Sequence, residues 1–410
     1  MLTVRLYELA FRYKKTRLWI KISESKPFAV KTKKGEVLYV CVMGPVEHIA
    51  VLVFTEEEIQ DYYRIHDHFL LYDRRFSDED FERCISVSFL ECRFLIDDEM
   101  PAPRLERLRT FVKKHDLRFG RFPLYPVFHK YAPYRVPCSA ADRTDMEHLI
   151  AGLEASLALA ELSEKDPAFL DGMYQIGNLS RRAGKIPLFA QSEDGCALAG
   201  TTALPPRRKR IYPTGSAGDD AVIRALLPRR RRGTVECGVF WLDDPKCEDP
   251  RDVPFYPAFL LAVEAPCGRV LSRVFVDDYE KDFEVLLAHF LRSLAMRKSR
   301  PSLVRAADER TYALLRNSMK KAGVRLDTDP HLPALSRALD DLYRELRGEE
   351  DAGPDPEDHR ETSSRNTVQL LSKILSGNSA FLKDCPEAVL PVLGSLLMTS
   401  DSASARRDRS

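Results

Sequence analysis

Three carboxylates are of the residue type that metal-assisted chemistry uses. Asp243, with Asp244 beside it, follows an apolar run ending at Leu242; Asp308 follows a second apolar run; Glu345 lies 37 residues further on. Hard divalent cations such as Mg2+ or Mn2+ prefer oxygen ligands, and a pair of them can stabilise attacking and leaving oxygens together. Each acid also has a plainer use. Asp243 and Asp244 precede Pro245 in a turn, Asp308 is placed to cap the helix behind it, and Glu345 falls on a solvated helix face. His66-Asp67-His68 offers another metal-like pattern, but the segment reads as a helix end. Imidazoles two residues apart diverge on a helix, and a helix C-terminus favours them for its dipole, so surface histidines are expected.

Two basic clusters could hold phosphates: Arg207, Arg208, Lys209 and Arg210, then Arg229, Arg230, Arg231 and Arg232. Between Thr201 and Gly233 nine Lys/Arg stand against two Asp, although the whole chain nearly balances at 63 basic and 62 acidic residues. Such a segment can grip a nucleic-acid backbone. Only Tyr212 interleaves with the clusters, so an exposed basic linker is the simpler expectation.

The elements that would position these residues are clearest after Thr234. Val235–Leu242 and Phe255–Glu264 read as strands, Cys267-Gly268 turns into the strand Val270–Val276, and Asp277-Asp278-Tyr279-Glu280 caps a helix. Leu303–Ala307 is a fourth strand, a helix runs from Asp308 to Gly323, Val324–Leu326 is a fifth strand, and a helix follows from Pro333 to Leu346. This α/β order resembles the ribonuclease H–integrase fold. The resemblance implies two divalent metals held by Asp243, Asp308 and Glu345.

The N-terminal part reads as α+β. An amphipathic helix carries Leu2, Leu6, Leu9 and Tyr13; strands are expected at Trp19–Ile22, Phe28–Val30, Val37–Met43 and Ile49–Phe54. A helix from Thr55 to Phe69, a buried strand at Cys84–Ile96 and a helix at Arg104–Lys114 follow. An aromatic and proline belt, Phe119 to Pro137, is expected to be extended, outside any central strand, with its rings on the preceding domain. Thr144-Asp145-Met146-Glu147 reads as a capping box. The domains expected are residues 1–165, an irregular arginine-rich connector at 166–233, a C-terminal α/β domain at 234–346 and a flexible tail at 347–410.

Length and composition fit this division, since 410 residues exceed what one core usually serves. The longest apolar stretch, Val389–Met398, is broken by Pro391 and Gly394, too short for a membrane span. Nine scattered cysteines, none as C-x-x-C, read as structural thiols, and no signal peptide is recognisable. A cytoplasmic setting without membrane contact is therefore expected. The phosphate-loop, dinucleotide, zincin and nucleophile-elbow signatures are absent, which argues against those enzyme classes.

The texts LYELAFRYKK, VLYVCVMGPVEHIAVLVF and LRFGRFPLYPVFHKYAPYRVP, with YPAFLLAVEAPCGRVLSRVFV, RPSLVRAADE and AGVRLDTDPHLPAL later, resemble a group of uncharacterised bacterial two-domain proteins. That resemblance implies a two-domain layout and a bacterial cytoplasmic setting, and it brings no activity or cofactor with it. The sequence reading is a non-enzymatic binding or interaction protein without cofactor, a protein partner standing ahead of nucleic acid. The alternative is a metal-dependent nucleic-acid-processing enzyme, or a nucleic-acid binder, with a ribonuclease H/integrase-like C-terminal domain.

Overall fold

The apolar runs gather into two sheets with separate cores. The computed structural model describes residues 2–22, 26–44, 49–60, 62, 78–96, 99–118, 124–140, 142–169, 185–206, 211–215, 220–246 and 253–347. His66-Asp67-His68, most of the helix expected at 55–69, Arg207–Arg210 and the tail beyond residue 347 lie outside the described residues.

The N-terminal unit holds α1 (Leu2–Thr16), α2 (Leu18–Lys21), β1 (Phe28–Lys31), β2 (Val37–Met43), β3 (Ala50–Phe54), α3 (Asp78–Ile85), β4 (Phe89–Leu95), α4 (Ala102–Lys114), β5 (Tyr125–Tyr131), β6 (Cys138–Ser139), α5 (Arg143–Lys165), β7 (Lys185–Gln191) and β8 (Cys196–Ala203). Its sheet runs β6-β5-β4-β3-β2-β1-β7-β8. Apart from the parallel pair β1 and β7, neighbours are antiparallel. The alternating side chains Val40, Val42, Val51 and Val53 face α1 and α5 in one core, where Leu6, Leu9, Leu149 and Leu153 meet them. Gly152 lets α5 approach closely, because a Cβ there would meet Val53 at 2.5 Å.

The C-terminal unit holds α6 (Asp220–Leu226), β9 (Thr234–Trp241), β10 (Ala258–Ala265), β11 (Arg269–Val276), α7 (Tyr279–Met296), β12 (Leu303–Ala306), α8 (Glu309–Lys321), β13 (Arg325–Thr328) and α9 (Pro333–Arg347). The strand order is β11-β10-β9-β12-β13. β10 is antiparallel to both neighbours, while β9, β12 and β13 run parallel. Val235, Cys237 and Val239 pack on α7 and α8 through Leu287, Phe290, Leu314 and Leu315. Phe259, Leu261 and Val263 point the other way, onto Leu335, Leu339 and Leu342 of α9. These directions bring the C-terminal ends of β9, β11 and β12 to one edge and the N-terminal ends of β9, β12 and β13 to the other.

Several local expectations are corrected. Trp19 lies in α2 rather than a strand: Arg17 adopts a left-handed φ of 50°, and the chain restarts a helical turn with both Leu18 and Trp19 buried. Cys84 lies in α3, so the strand starts only at Phe89. The capping box does not form, because α5 begins at Arg143 after Asp142, and Glu147 bonds Lys34 and Arg143 instead. The belt contributes β5 with Pro126 inside it. This is tolerated because β6 reaches only His129 and Lys130, leaving Pro126 unpaired on its outer side. The expected irregular connector contains β7, which buries Ile186 and Phe189, and β8, whose small, exposed residues carry little alternation. No helix among the described residues is long and apolar enough to cross a membrane.

Candidate functional site

Asp308 follows β12 at the edge formed by the C-terminal ends of β9, β11 and β12. Its Oδ1 accepts from Thr311 N at 2.6 Å, capping α8, and its Oδ2 is 3.8 Å from Arg310. Asp243 is exposed in the bend beyond β9, and Asp244 beside it pairs with Lys246. Glu345, near the end of α9, pairs at 2.7 Å with Arg273 of the outer strand β11. Asp308 and Glu345 are thus engaged with different partners, while Asp243 is exposed. Among the described residues no group of three or more His, Cys, Asp or Glu side chains could hold a metal ion.

One acid in this unit escaped the sequence reading. Glu236 points from β9 into the core with 2% of its surface exposed, and its Oε2 accepts from Ala334 N at 2.9 Å and Leu335 N at 3.0 Å. A carboxylate at a helix N-terminus satisfies orphan N–H groups and complements the helix dipole. In the N-terminal unit Glu91 is similarly buried, 3.3 Å from His129 Nδ1 and accepting from Tyr131 Oη at 3.1 Å. Neither acid belongs to a sequence motif; only its place within an apolar strand could have marked it.

The same C-terminal strand edge carries a cluster built around Arg310. Its guanidinium, 2% exposed, lies 4.3 Å from the Trp241 ring centre, 5.1 Å from Tyr212 and 5.8 Å from Tyr279, and it pairs with Glu82 of α3. Tyr134 stacks on Trp241 at 4.9 Å between ring centres. The backbone joins in: Tyr134 N donates to Ile85 O at 2.6 Å, Tyr256 N to Tyr134 O at 2.9 Å and Val136 N to Pro254 O at 2.9 Å. Arg135 reaches Asp278 at 2.9 Å. Part of the aromatic belt therefore packs on the C-terminal core, whereas its rings were expected on the N-terminal one. Burial pushes the Tyr279 phenol up, with the Arg310 charge opposing. The cluster joins α3 and the Tyr134 segment to the C-terminal core.

The opposite strand edge is basic. Arg229 donates to the carbonyls of Ala295 and Arg297 at the end of α7, and Arg300 donates to Ala322 O at 2.8 Å beyond α8. Arg230, Arg231 and Arg232 are exposed.

Residues 4–177 match the model of a domain of unknown function, DUF7309, and residues 223–343 match that of another, DUF6930. The chain fits an uncharacterised two-domain family. The α3 and Tyr134 contacts are thus contacts of the DUF7309 domain upon the DUF6930 domain, and β7 and β8 extend the first sheet beyond the DUF7309 match. No curated protein and no solved structure matches the chain.

Proposed function

We propose that the protein is a non-enzymatic binding protein whose DUF6930 domain is ribonuclease H-like and whose DUF7309 domain closes the strand edge at which such a fold would work. The strand order β11-β10-β9-β12-β13, with β10 reversed and helices between the parallel strands, supports the fold reading. The observation that carries the functional reading is the buried Arg310, paired with Glu82 and stacked against Trp241. A buried, neutralised cation and its aromatic partners occupy ground where a two-metal site needs converging, solvent-accessible carboxylates. Nearby Asp308 and, deeper in the sheet, Glu236 serve helix N-termini.

The test is titration of the full chain with Mg2+ and Mn2+, read by calorimetry and by thermal unfolding. The proposal expects no saturable heat and no shift in Tm. Stoichiometric binding of either ion, lost on Asp308→Asn, would overturn it in favour of the metal-dependent enzyme.

A further inference from the structure

The basic edge of the DUF6930 domain gathers charges that the sequence keeps far apart. Arg231 bridges to Arg300, and Arg232 N donates to Arg300 O at 2.8 Å, which brings the segment before β9 against the segment before β12. α8 ends beside them in a left-handed turn: Gly323 has a φ of 60°, Val324 N donates to Met319 O at 2.9 Å and Gly323 N to Lys320 O at 3.1 Å. A Cβ on Gly323 would lie 3.4 Å from Arg231 Nη2 and 3.4 Å from Arg300 Nη1, so the two cations sit at most twice that distance apart. Exposed Lys298 from the α7–β12 turn and exposed Lys320 from the last turn of α8 flank them.

Local structure explains only some of these cations. Arg229 and Arg300 satisfy carbonyls at helix C-termini, and Arg297 and Arg269 pair with Glu264. Arg230, Arg231, Arg232, Lys298 and Lys320 have no carboxylate partner among the described residues, although like charges held this close repel unless an anion lies between them.

We infer that this edge binds the phosphate backbone of a nucleic-acid duplex, an inference that rests on the binding-protein reading and names its partner. The starts of β9, β12 and β13 are adjacent, so the charges span about 10 Å, or about three steps of 3.4 Å along one strand. Among the described residues no aromatic ring contacts the five unpaired cations, so these residues offer no platform on which unpaired bases would stack. Binding is therefore independent of sequence and strongest for the form with the higher charge density. Leu227, Val270 and Met296 are exposed apolar side chains at this strand edge, too little apolar surface to anchor the domain in a lipid layer.

The experiment is fluorescence anisotropy of the full chain with labelled duplex DNA, duplex RNA and single strands at two salt concentrations, beside sedimentation with vesicles containing phosphatidylserine. A variant combining Arg230→Ala, Arg232→Ala, Lys298→Ala and Lys320→Ala changes exposed side chains only, and Arg231→Ala is tested separately. The expected result is salt-sensitive duplex binding, DNA or RNA, that falls at least tenfold in the combined variant. Its log–log salt slope should drop by about 3, near 0.9 for each phosphate that is no longer neutralised. An unchanged Tm shows that the loss is not unfolding. No duplex binding at low salt, tighter binding to vesicles or to single strands, or full binding by the combined variant overturns the inference. Those outcomes leave the non-enzymatic reading standing, since it fails on metal binding and cleavage.

Discussion

Arg310 of the DUF6930 domain forms a buried ion pair with Glu82 of the DUF7309 domain, so each domain supplies the charge that makes the other's burial tolerable. The carboxylate of Glu82, with that of Asp308 at 3.8 Å, offsets a guanidinium set among aromatic rings. Burial disfavours the charged guanidinium, yet Glu82 and the other acidic groups around it hold the proton firmly, and its pKa moves up.

The first prediction concerns that pair. Glu82→Gln leaves Arg310 charged and buried with only the more exposed Asp308 to offset it, which should cost about 3 kcal/mol in the unfolding free energy measured with denaturant. Adding Arg310→Met should recover part of the loss. A loss under about 0.5 kcal/mol, typical of an exposed pair, would show that the contact is incidental.

Glu236→Ala removes the acceptor for two N–H groups at the start of α9. A destabilisation of about 2–4 kcal/mol is expected. Glu236→Gln keeps one carbonyl oxygen and should lose less. Equal effects of the two variants would mean that the negative charge at the helix N-terminus, lost in both, matters and the accepting oxygen alone does not.

Lys14 gives a dependence on alkaline pH. Its ammonium lies in the core of α1 and donates to Leu124 O at 3.0 Å, just before β5; burial, aided by Lys15, pulls its pKa down to about 8. Between about pH 8 and the ordinary lysine value near 10.4, the unfolded chain binds a proton that the fold does not. Stability relative to Lys14→Met should therefore rise across that window, by about 2 kcal/mol from pH 7.5 to pH 10. A flat difference between the two proteins would contradict this.

Asp278 gives a dependence on acid. Burial pulls its pKa up, but the hydrogen bond and charge of Lys281 and the charge of Arg135 hold it below the usual carboxylate range. Its contribution is full above the ordinary value near 3.9 and is lost as pH falls through the depressed one. Denaturation at pH 7 and pH 2.5 should show the gap between wild type and Asp278→Asn closing at the lower pH. A gap that stays constant would remove Asp278 from the acid response of the domain junction.

What was legible in the sequence follows from how local each signal is. The order of elements from Thr234 to Arg347 could be read because its helices carry strong apolar stripes and Asp278 and Asp308 are sound caps. β7 and β8 could not, since β7 gains its meaning only by pairing with β1, more than 150 residues earlier. Pro126 misled because the rule against proline applies to strands paired on both sides, and β6 is too short to impose it. At the junction, Tyr134 was visible as an aromatic belt residue, but its partner Trp241 was not. Arg310 belongs to no motif and differs from other arginines only in its burial. Arg229–Arg232 stood out as a run. Lys298, Arg300 and Lys320 did not, because two other segments, the α7–β12 turn and the last turn of α8, bring them to that edge.

The central claim is that this chain binds without cutting. Its most direct test is incubation of the full chain with labelled duplex DNA and RNA in Mg2+ or Mn2+, with product length read on a denaturing gel. Substrate should remain intact at every protein concentration. Metal-dependent cleavage that disappears with Asp308→Asn would contradict the account.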